Sequence, residues 1–259
     1  MNLELENKVA LITGGSKGIG LESALVLAKE GAKVAICGRN EDKLNDAKQY
    51  VQEESGIEIH TIVADVSDKA QCEEAVKSTV KQYGTIDILV NNAGTSQAHP
   101  FEDVDNDLWE QDLDLKLFGA VNCSKAAIPY MKENKQGSII NVTAAIGKTP
   151  PKSSLPTSVS RAAGMALTKA MSKDLGEYNI RVNTVCIGLI RSEQIEKKWQ
   201  NTNPELSWEE YSKLDRSIPL GRIGDTDEAA NVIAFLSSGA AAYVSGTSVN
   251  IDGGLIGTL

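Results

Sequence analysis

Histidine, cysteine and aromatic residues are scarce in this 259-residue chain, and each scarcity closes off a class of chemistry. The only histidines, His60 and His99, are too few for a histidine-rich metal centre. The four cysteines, Cys37, Cys72, Cys123 and Cys186, are far apart in sequence, which excludes a CxxC redox pair and a zinc ribbon. Cys37, Cys123 and Cys186 lie in largely apolar segments and read as buried free thiols. No metal site is expected. Basic residues are outnumbered, 26 Lys and Arg against 35 Asp and Glu, giving a formal net charge of −9. Without a basic run the chain has no positive footprint for nucleic acid. No apolar run approaches the ~18 residues of a membrane span. Residues 1–9 are interrupted by Glu4, Glu6 and Lys8 and offer no signal-peptide core, so a soluble, cytoplasmic protein without membrane partners is expected.

What is present is alternation. Short apolar runs at residues 9–12, 33–37, 59–63, 86–90, 138–142, 181–186 and 245–251 read as strands. Between them, residues 21–30, 42–53, 70–83, 108–134 and 160–177 have helical spacing or composition, the fourth as one long helical region. Strands alternating with helices of about ten or more residues imply an α/β fold with a parallel sheet covered on both faces. Continuous apolar strands fit that double burial, and right-handed crossovers leave a doubly wound topology. No linker, repeat or low-complexity tract divides the chain, so residues 1–259 read as one domain. Ligands of such sheets bind at the carboxyl ends of the strands.

The first strand runs into Thr13-Gly14-Gly15-Ser16-Lys17-Gly18-Ile19-Gly20 and then a helix. Glycines permit a tight turn and close approach of backbone to a pyrophosphate, which the amides of the helix N-terminus would meet. The spacing, Gly14, Gly18 and Gly20, differs from the GxGxxG fingerprint. This run, with Asn91-Asn92-Ala93-Gly94, resembles the short-chain dehydrogenase/reductase family and its TGxxxGxG motif. Pro219-Leu220-Gly221-Arg222, Ser245-Gly246 and Asp252-Gly253-Gly254 are similar to the family's ending, so the likeness runs from about residue 8 to 254. In pattern it is most similar to 3-oxoacyl-[acyl-carrier-protein] reductase-like members. The resemblance implies a seven-stranded Rossmann sheet, a nicotinamide cofactor, a small-molecule carbonyl or alcohol substrate, a homotetramer, and a substrate lid at about residues 191–217. That segment holds Trp199, Trp208, Tyr211 and many charges.

At the tip of the second strand an acid would bind the ribose hydroxyls of NAD, whereas an arginine suits the 2′-phosphate of NADP. Cys37-Gly38-Arg39-Asn40 carries no acid, and Lys17 adds a second cation, which favours NADP(H) over NAD(H). The resemblance implies that Gly14, Ser16, Lys17, Gly18, Ile19 and Gly20 hold the phosphates. It places Asp65 and Val66 at the adenine and Asn92, Ala93 and Gly94 along the ribose side, and it adds Arg161, Gly188 and Ile190 to the cofactor-binding residues.

The family's proton chemistry uses a tyrosine, a lysine four residues on, a serine thirteen residues before, and an upstream asparagine. Ser160 and Ala162 in Thr157-Ser158-Val159-Ser160-Arg161-Ala162 fix the register on the family's Tyr-x-x-Ser-Lys-Ala. Thr157 then holds the tyrosine position, Arg161 the lysine, Ala144 the serine and Lys116 the asparagine: all four depart. Ile187 also replaces a proline before Gly188, and Ser192 a threonine expected at the nicotinamide amide. A threonine hydroxyl is far less acidic than a phenol and cannot replace it unaided. Arg161 stays protonated but can hold ribose hydroxyls. A desolvated Lys116 beside another cation can act as acid or base, or it can be a purely structural ammonium. Thr143 could reach a carbonyl if the loop shifts by one residue. Lys148 and Lys152, near the expected cleft mouth, could meet an anionic substrate or simply be solvated. Two readings stay open: an NADP(H)-dependent oxidoreductase with Lys116, Thr143, Thr157 and Arg161 as its altered catalytic set, or a catalytically inactive NADP(H)-binding sensor or scaffold. A non-redox lyase or isomerase in the same pocket is a third.

Overall fold

The apolar runs become a single sheet because both of their faces find helices to bury them. A computed structural model describes residues 2–215 and 217–258. Its strands and helices are, in order, β1 (Val9–Thr13), α1 (Gly18–Lys29), β2 (Lys33–Gly38), α2 (Glu41–Ser55), β3 (His60–Val63), α3 (Lys69–Tyr83) and β4 (Ile88–Asn91). Then follow β5 (Ala98–His99), α4 (Asn106–Leu113), α5 (Gly119–Glu133), β6 (Gly137–Ala144), β7 (Leu155–Pro156) and α6 (Thr157–Asp174). The chain continues through β8 (Ile180–Ile187), α7 (Glu193–Thr202), α8 (Trp208–Ser212), α9 (Thr226–Ser237) and β9 (Ser248–Ile251). Seven strands form one sheet in the order β3-β2-β1-β4-β6-β8-β9, with every pairing parallel. This is the expected doubly wound Rossmann sheet.

Successive residues of the strands feed opposite cores. Ala10, Ile12, Val34, Ile36 and Val90 pack with Ala24 and Leu27 of α1, Leu44 of α2 and Ile233 of α9. Leu11, Ala35, Cys37, Leu89 and Ile139 point the other way, against Val76 of α3 and Cys123, Ala127 and Met131 of α5. All four cysteines are free and buried. No helix among the described residues is long and apolar enough to cross a membrane, and no cluster of three or more His, Cys, Asp or Glu could hold a metal there.

Five departures from the sequence expectation matter. The helical region at 108–134 is not one uniform helix: Asp114–Phe118 is a π-turn between α4 and α5, with Gly119 N–H bonded to Asp114 O. Such turns insert one residue and rotate the side chains that follow, an offset too small for hydrophobic periodicity to register. α6 starts at Thr157, three residues early, because Pro156 immediately precedes its first turn. The last strand starts late, at Ser248, because Gly246 at φ +74° turns the chain before it. The sequence reading also missed α9, whose buried face is mostly alanine, and the two-stranded antiparallel ribbon of β5 and β7.

Leu89 lies fully buried in β4, at the centre of the sheet. Leu89→Ala should cost about 2–5 kcal/mol of unfolding free energy in a urea titration. A loss below about 1 kcal/mol would show that the second core is not packed as described.

Candidate active site

The carboxyl ends of β1 and β4 are locked into one unit. Thr13 Oγ1 accepts from the N–H groups of Asn92 and Ala93, both at 3.0 Å. The Asn92 side-chain amide donates back to Thr13 O at 3.0 Å and Gly14 O at 3.1 Å. Gly14 has φ +64°, and a Cβ there would lie 2.9 Å from Ala93 Cα. A Cβ on Gly20 would fall 2.4 Å from Gly14 O. Gly18, also at positive φ, has open space where its Cβ would be. Lys17, the residue before α1, gives that helix no side-chain cap, so its leading amides are left for another acceptor. A tight glycine turn, an open face and uncapped amides fit a pyrophosphate.

Around this turn the other expected cofactor residues fall at the same end of the sheet. Arg39 is exposed beyond β2 and makes no ion pair among the described residues. Lys17 is instead paired with Glu193 at the start of α7, which also takes Lys197 and holds the Glu193 carboxyl down to about 2. Ser16 is half-buried, with its hydroxyl toward Gly38. The Asp65 carboxylate accepts from Ser67 N–H and Oγ, while Val66 is buried against Gly119. Gly188 pairs with β9 through Ile251 O, and Ile190 is buried where the chain bridges to Gly224. The Asn92 side chain, expected along the ribose, is occupied as the brace of the glycine turn.

Between the π-turn and α6 stands a buried charged cluster. Lys116 Nζ donates to Asp112 Oδ1, an ion pair whose side chains are 1% and 0% exposed. It also donates to Thr157 Oγ1 at 2.7 Å. The other Asp112 oxygen accepts from Ser160 Oγ at 2.6 Å. Arg161 sits one residue on, with NH1 donating to Val142 O at 2.9 Å and NH2 beside exposed Gly94. Burial first, then the Arg161 charge, brings the Lys116 ammonium down to about 8, against the pull of Asp112. Burial likewise lowers Arg161. Thr157 Oγ1 accepts a second bond from Gln97 N–H at 2.9 Å, which fills its acceptor sites and leaves its own hydrogen to donate. Gln97 O accepts in turn from Thr157 N–H, so the segment before β5 is pinned over position 157. Beneath the cluster lies a small cavity of about 20 Å³, roughly one water, bordered by Asn91, Lys116, Thr143 and Arg161. Asn91 Oδ1 and Arg161 Nε have no partner there.

Three other residues are engaged within the protein. The Thr143 hydroxyl is tied into the sheet on Val185 O and Cys186 Sγ, at 3.3 and 3.4 Å, although the residue borders the cavity. Lys148 is not a receptor for an anion, because its ammonium ties the loop to β9 through Ser248 O and Asn250 Oδ1. The Ser192 hydroxyl caps α7 by accepting from Ile195 N–H. Ala144, at the end of β6, brings no polar atom. Asp112 and Gln97 were missed, and Ser160 served only to fix a register. Asp112 precedes Lys116 by four residues, the spacing at which acid and base meet on a helix, so that signal was available. The role of Gln97 lies in its backbone and left no trace in the sequence. In the segment at 191–217, apart from residue 216, α7 and α8 share a small core of Trp199, Trp208 and Tyr211 with Ile218 and Ile223.

With this geometry in hand, the chain was compared with known proteins. A family model described as short chain dehydrogenase matches residues 8–203. The chain is 36% identical over 256 residues to a 3-oxoacyl-[acyl-carrier-protein] reductase of Thermotoga maritima, covering 98% of this chain and 100% of that one. Among solved structures, L-sorbose reductase of Gluconobacter frateurii, complexed with NADPH and L-sorbose, matches with a TM-score of 0.93 at 31% identity over the full length of both chains. An NADPH-bound short chain oxidoreductase of Pseudomonas aeruginosa, described as containing an atypical catalytic center, matches with a TM-score of 0.92 at 30% identity, covering 98% of this chain and 100% of that one.

The depressed Lys116 sets a stability window. Below about pH 8 the lysine is charged in both states, and its burial cost is carried in full. Between about 8 and the ordinary 10.5 the unfolded chain holds a proton that the native state has released. Native stability relative to Lys116→Met should therefore be flat below that window and rise through it by about 1–3 kcal/mol. Denaturant titrations from pH 7 to 10.5 check this; a flat difference throughout would contradict the burial of the ammonium.

Proposed function

The chain belongs to the short-chain dehydrogenase/reductase family, and from that premise we propose an NADP(H)-dependent oxidoreductase of a small carbonyl/alcohol pair whose proton is handled by Lys116. The observation that carries the reading is the buried bond from Lys116 Nζ to Thr157 Oγ1, which puts an ammonium behind the hydroxyl at the family's tyrosine position. The glycine turn and its Asn92 brace would hold the pyrophosphate. Exposed, unpaired Arg39 would grip the 2′-phosphate, helped by Lys17 once Glu193 lets it go. Asp65 and Val66 would flank the adenine, Ala93 and Gly94 the ribose, and Gly188 and Ile190 the nicotinamide. NADP(H), when bound, supplies or removes the hydride.

The proton route follows from donors and acceptors. Lys116 Nζ passes a proton to Thr157 Oγ1, which gives its own hydrogen to the substrate oxygen. The hydroxyl acts as a relay and never needs the acidity of a phenol, because the acid is the lysine. Asp112 and Ser160 fix the ammonium in place. Arg161 adds positive charge where the substrate oxygen becomes negative and can hold ribose hydroxyls. We place the protein in the cytoplasm as a homo-oligomer, in keeping with its family. A second reading, a nucleotide-binding sensor without turnover, is favoured by one observation: the backbone of Gln97 pins Thr157, which is only 2% exposed.

Fluorescence titration with NADPH and NADH, followed by a carbonyl panel read as cofactor oxidation, tests both readings. NADPH should bind more tightly than NADH. Arg39→Ala should weaken NADPH by about tenfold or more while leaving NADH unchanged. Lys116→Ala should abolish turnover and keep NADPH binding. No binding of either nucleotide rejects both readings; tight binding without turnover on any carbonyl selects the sensor; unchanged turnover removes Lys116 from the chemistry.

A further inference from the structure

Asp112, Lys116 and Arg161 do not balance. Both oxygens of the only carboxylate in the cluster are occupied, one by Lys116 and one by the Ser160 hydroxyl. Arg161 has no carboxylate within ion-pair distance among the described residues; its NH1 rests on a backbone carbonyl and its buried Nε has no partner. No other charge packed against the cluster offsets it. Asn91 of β4, Asn141 of β6, and Thr157 and Ser160 of α6 are neutral. Burial raises the Cys186 thiol of β8, so it stays uncharged. α5 contributes only Gly119 and Ala120 to the cavity wall. One positive charge is left over, half-buried beside the exposed Gly94 just past β4.

We propose that this partly buried excess charge makes the site selective for the reduced cofactor, binding NADPH about tenfold to a hundredfold more tightly than NADP+. The inference rests on the cofactor site proposed above. The two forms share every phosphate, ribose and adenine contact, and they differ at the ring, which is neutral when reduced and cationic when oxidised. A nicotinamide held between Gly94 and Gly188 would lie beside Arg161, whose guanidinium reaches Val142 O of β6, and the charges of Arg161 and Lys116 would oppose the oxidised ring. The device serves a reductase by expelling its spent cofactor, and it serves a sensor by reporting the reduced fraction of the pool.

The sign of the pH dependence follows. The Lys116 ammonium loses its proton near pH 8, where the cluster becomes neutral and the discrimination falls. By linkage, NADP+ binding near that pH expels a proton and NADPH binding expels less.

Calorimetry gives the dissociation constants of NADPH and NADP+ at about pH 6.5 and about 9.5, and repeating it in buffers of different ionisation enthalpy counts the protons released. The preference for NADPH should shrink several-fold at the higher pH. Asp112→Asn removes the negative charge and also the acceptor that holds the Lys116 proton, so it should widen the preference at low pH and move the fall in preference below about pH 8; Lys116→Met should narrow it; the double variant should return it to the wild-type ratio. A merely structural role for these residues would move both affinities together and leave the ratio fixed. If Lys116→Met fails to fold, the wild-type pH series and Asp112→Asn decide. Equal affinities in wild type, with no response to pH or to Asp112→Asn, overturn this inference while leaving the cofactor site standing. Failure of either nucleotide to bind overturns both.

Discussion

The Asp112 carboxylate has almost no exposure to water, and the chemistry of the cleft is organised around how it is held. A carboxylate so placed is costly unless it is paired and hydrogen-bonded, and here Lys116 and Ser160 do both. The same pairing reaches across elements. Lys116 rises from the π-turn, Ser160 and Arg161 from the first turns of α6, and Thr157 joins Lys116 to the backbone of Gln97. Removing one partner would leave a charge buried without compensation. The cluster therefore fixes the approach of α4 and α6 to each other as well as the position of any proton.

A second constraint sits at the neighbouring strand end. Asn92 and Ala93 donate four hydrogen bonds to Thr13 and Gly14, joining the ends of β1 and β4, and the glycine turn is shaped by them. Asn92 Nδ2 and Gly14 O occupy the space that a Cβ on Gly20 would need, so the glycines are required by the brace as much as by any phosphate. Two sequence motifs that look like separate parts of a nucleotide site are thus one mechanical unit. Arg161 faces Gly94, the last residue of the second motif, and this joins the unit to the charged cluster.

Much of the fold was legible because seven apolar runs, the five inner ones largely buried on both faces, leave a parallel sheet as the economical solution. What escaped were features that hydrophobic pattern does not encode. The π-turn at Lys116 keeps the helix going and shifts it by one residue. The β5–β7 ribbon is two residues a side and is specified by backbone bonds. The site was legible in the positions of Lys116, Thr157 and Arg161, because Ser160 and Ala162 fixed the register. Thr143 borders the cavity, but its hydroxyl bonds into the sheet, an engagement that strand periodicity alone does not reveal. Asp112 lies outside the family's tyrosine, lysine, serine and asparagine positions, and only its four-residue spacing from Lys116 marks it in the sequence.

The chain's distinctive claim is that a buried ammonium stands where the family places neutral and phenolic groups, and a direct titration of Lys116 tests it. With lysine side chains labelled with 13C at Cε, the Lys116 resonance is assigned through Lys116→Met and followed by NMR against pH in the protein without added nucleotide. The account predicts a midpoint at about 8, rising when Arg161→Met removes the neighbouring cation. A midpoint at the ordinary lysine value near 10.5 in the wild type, unmoved by Arg161→Met, would contradict it.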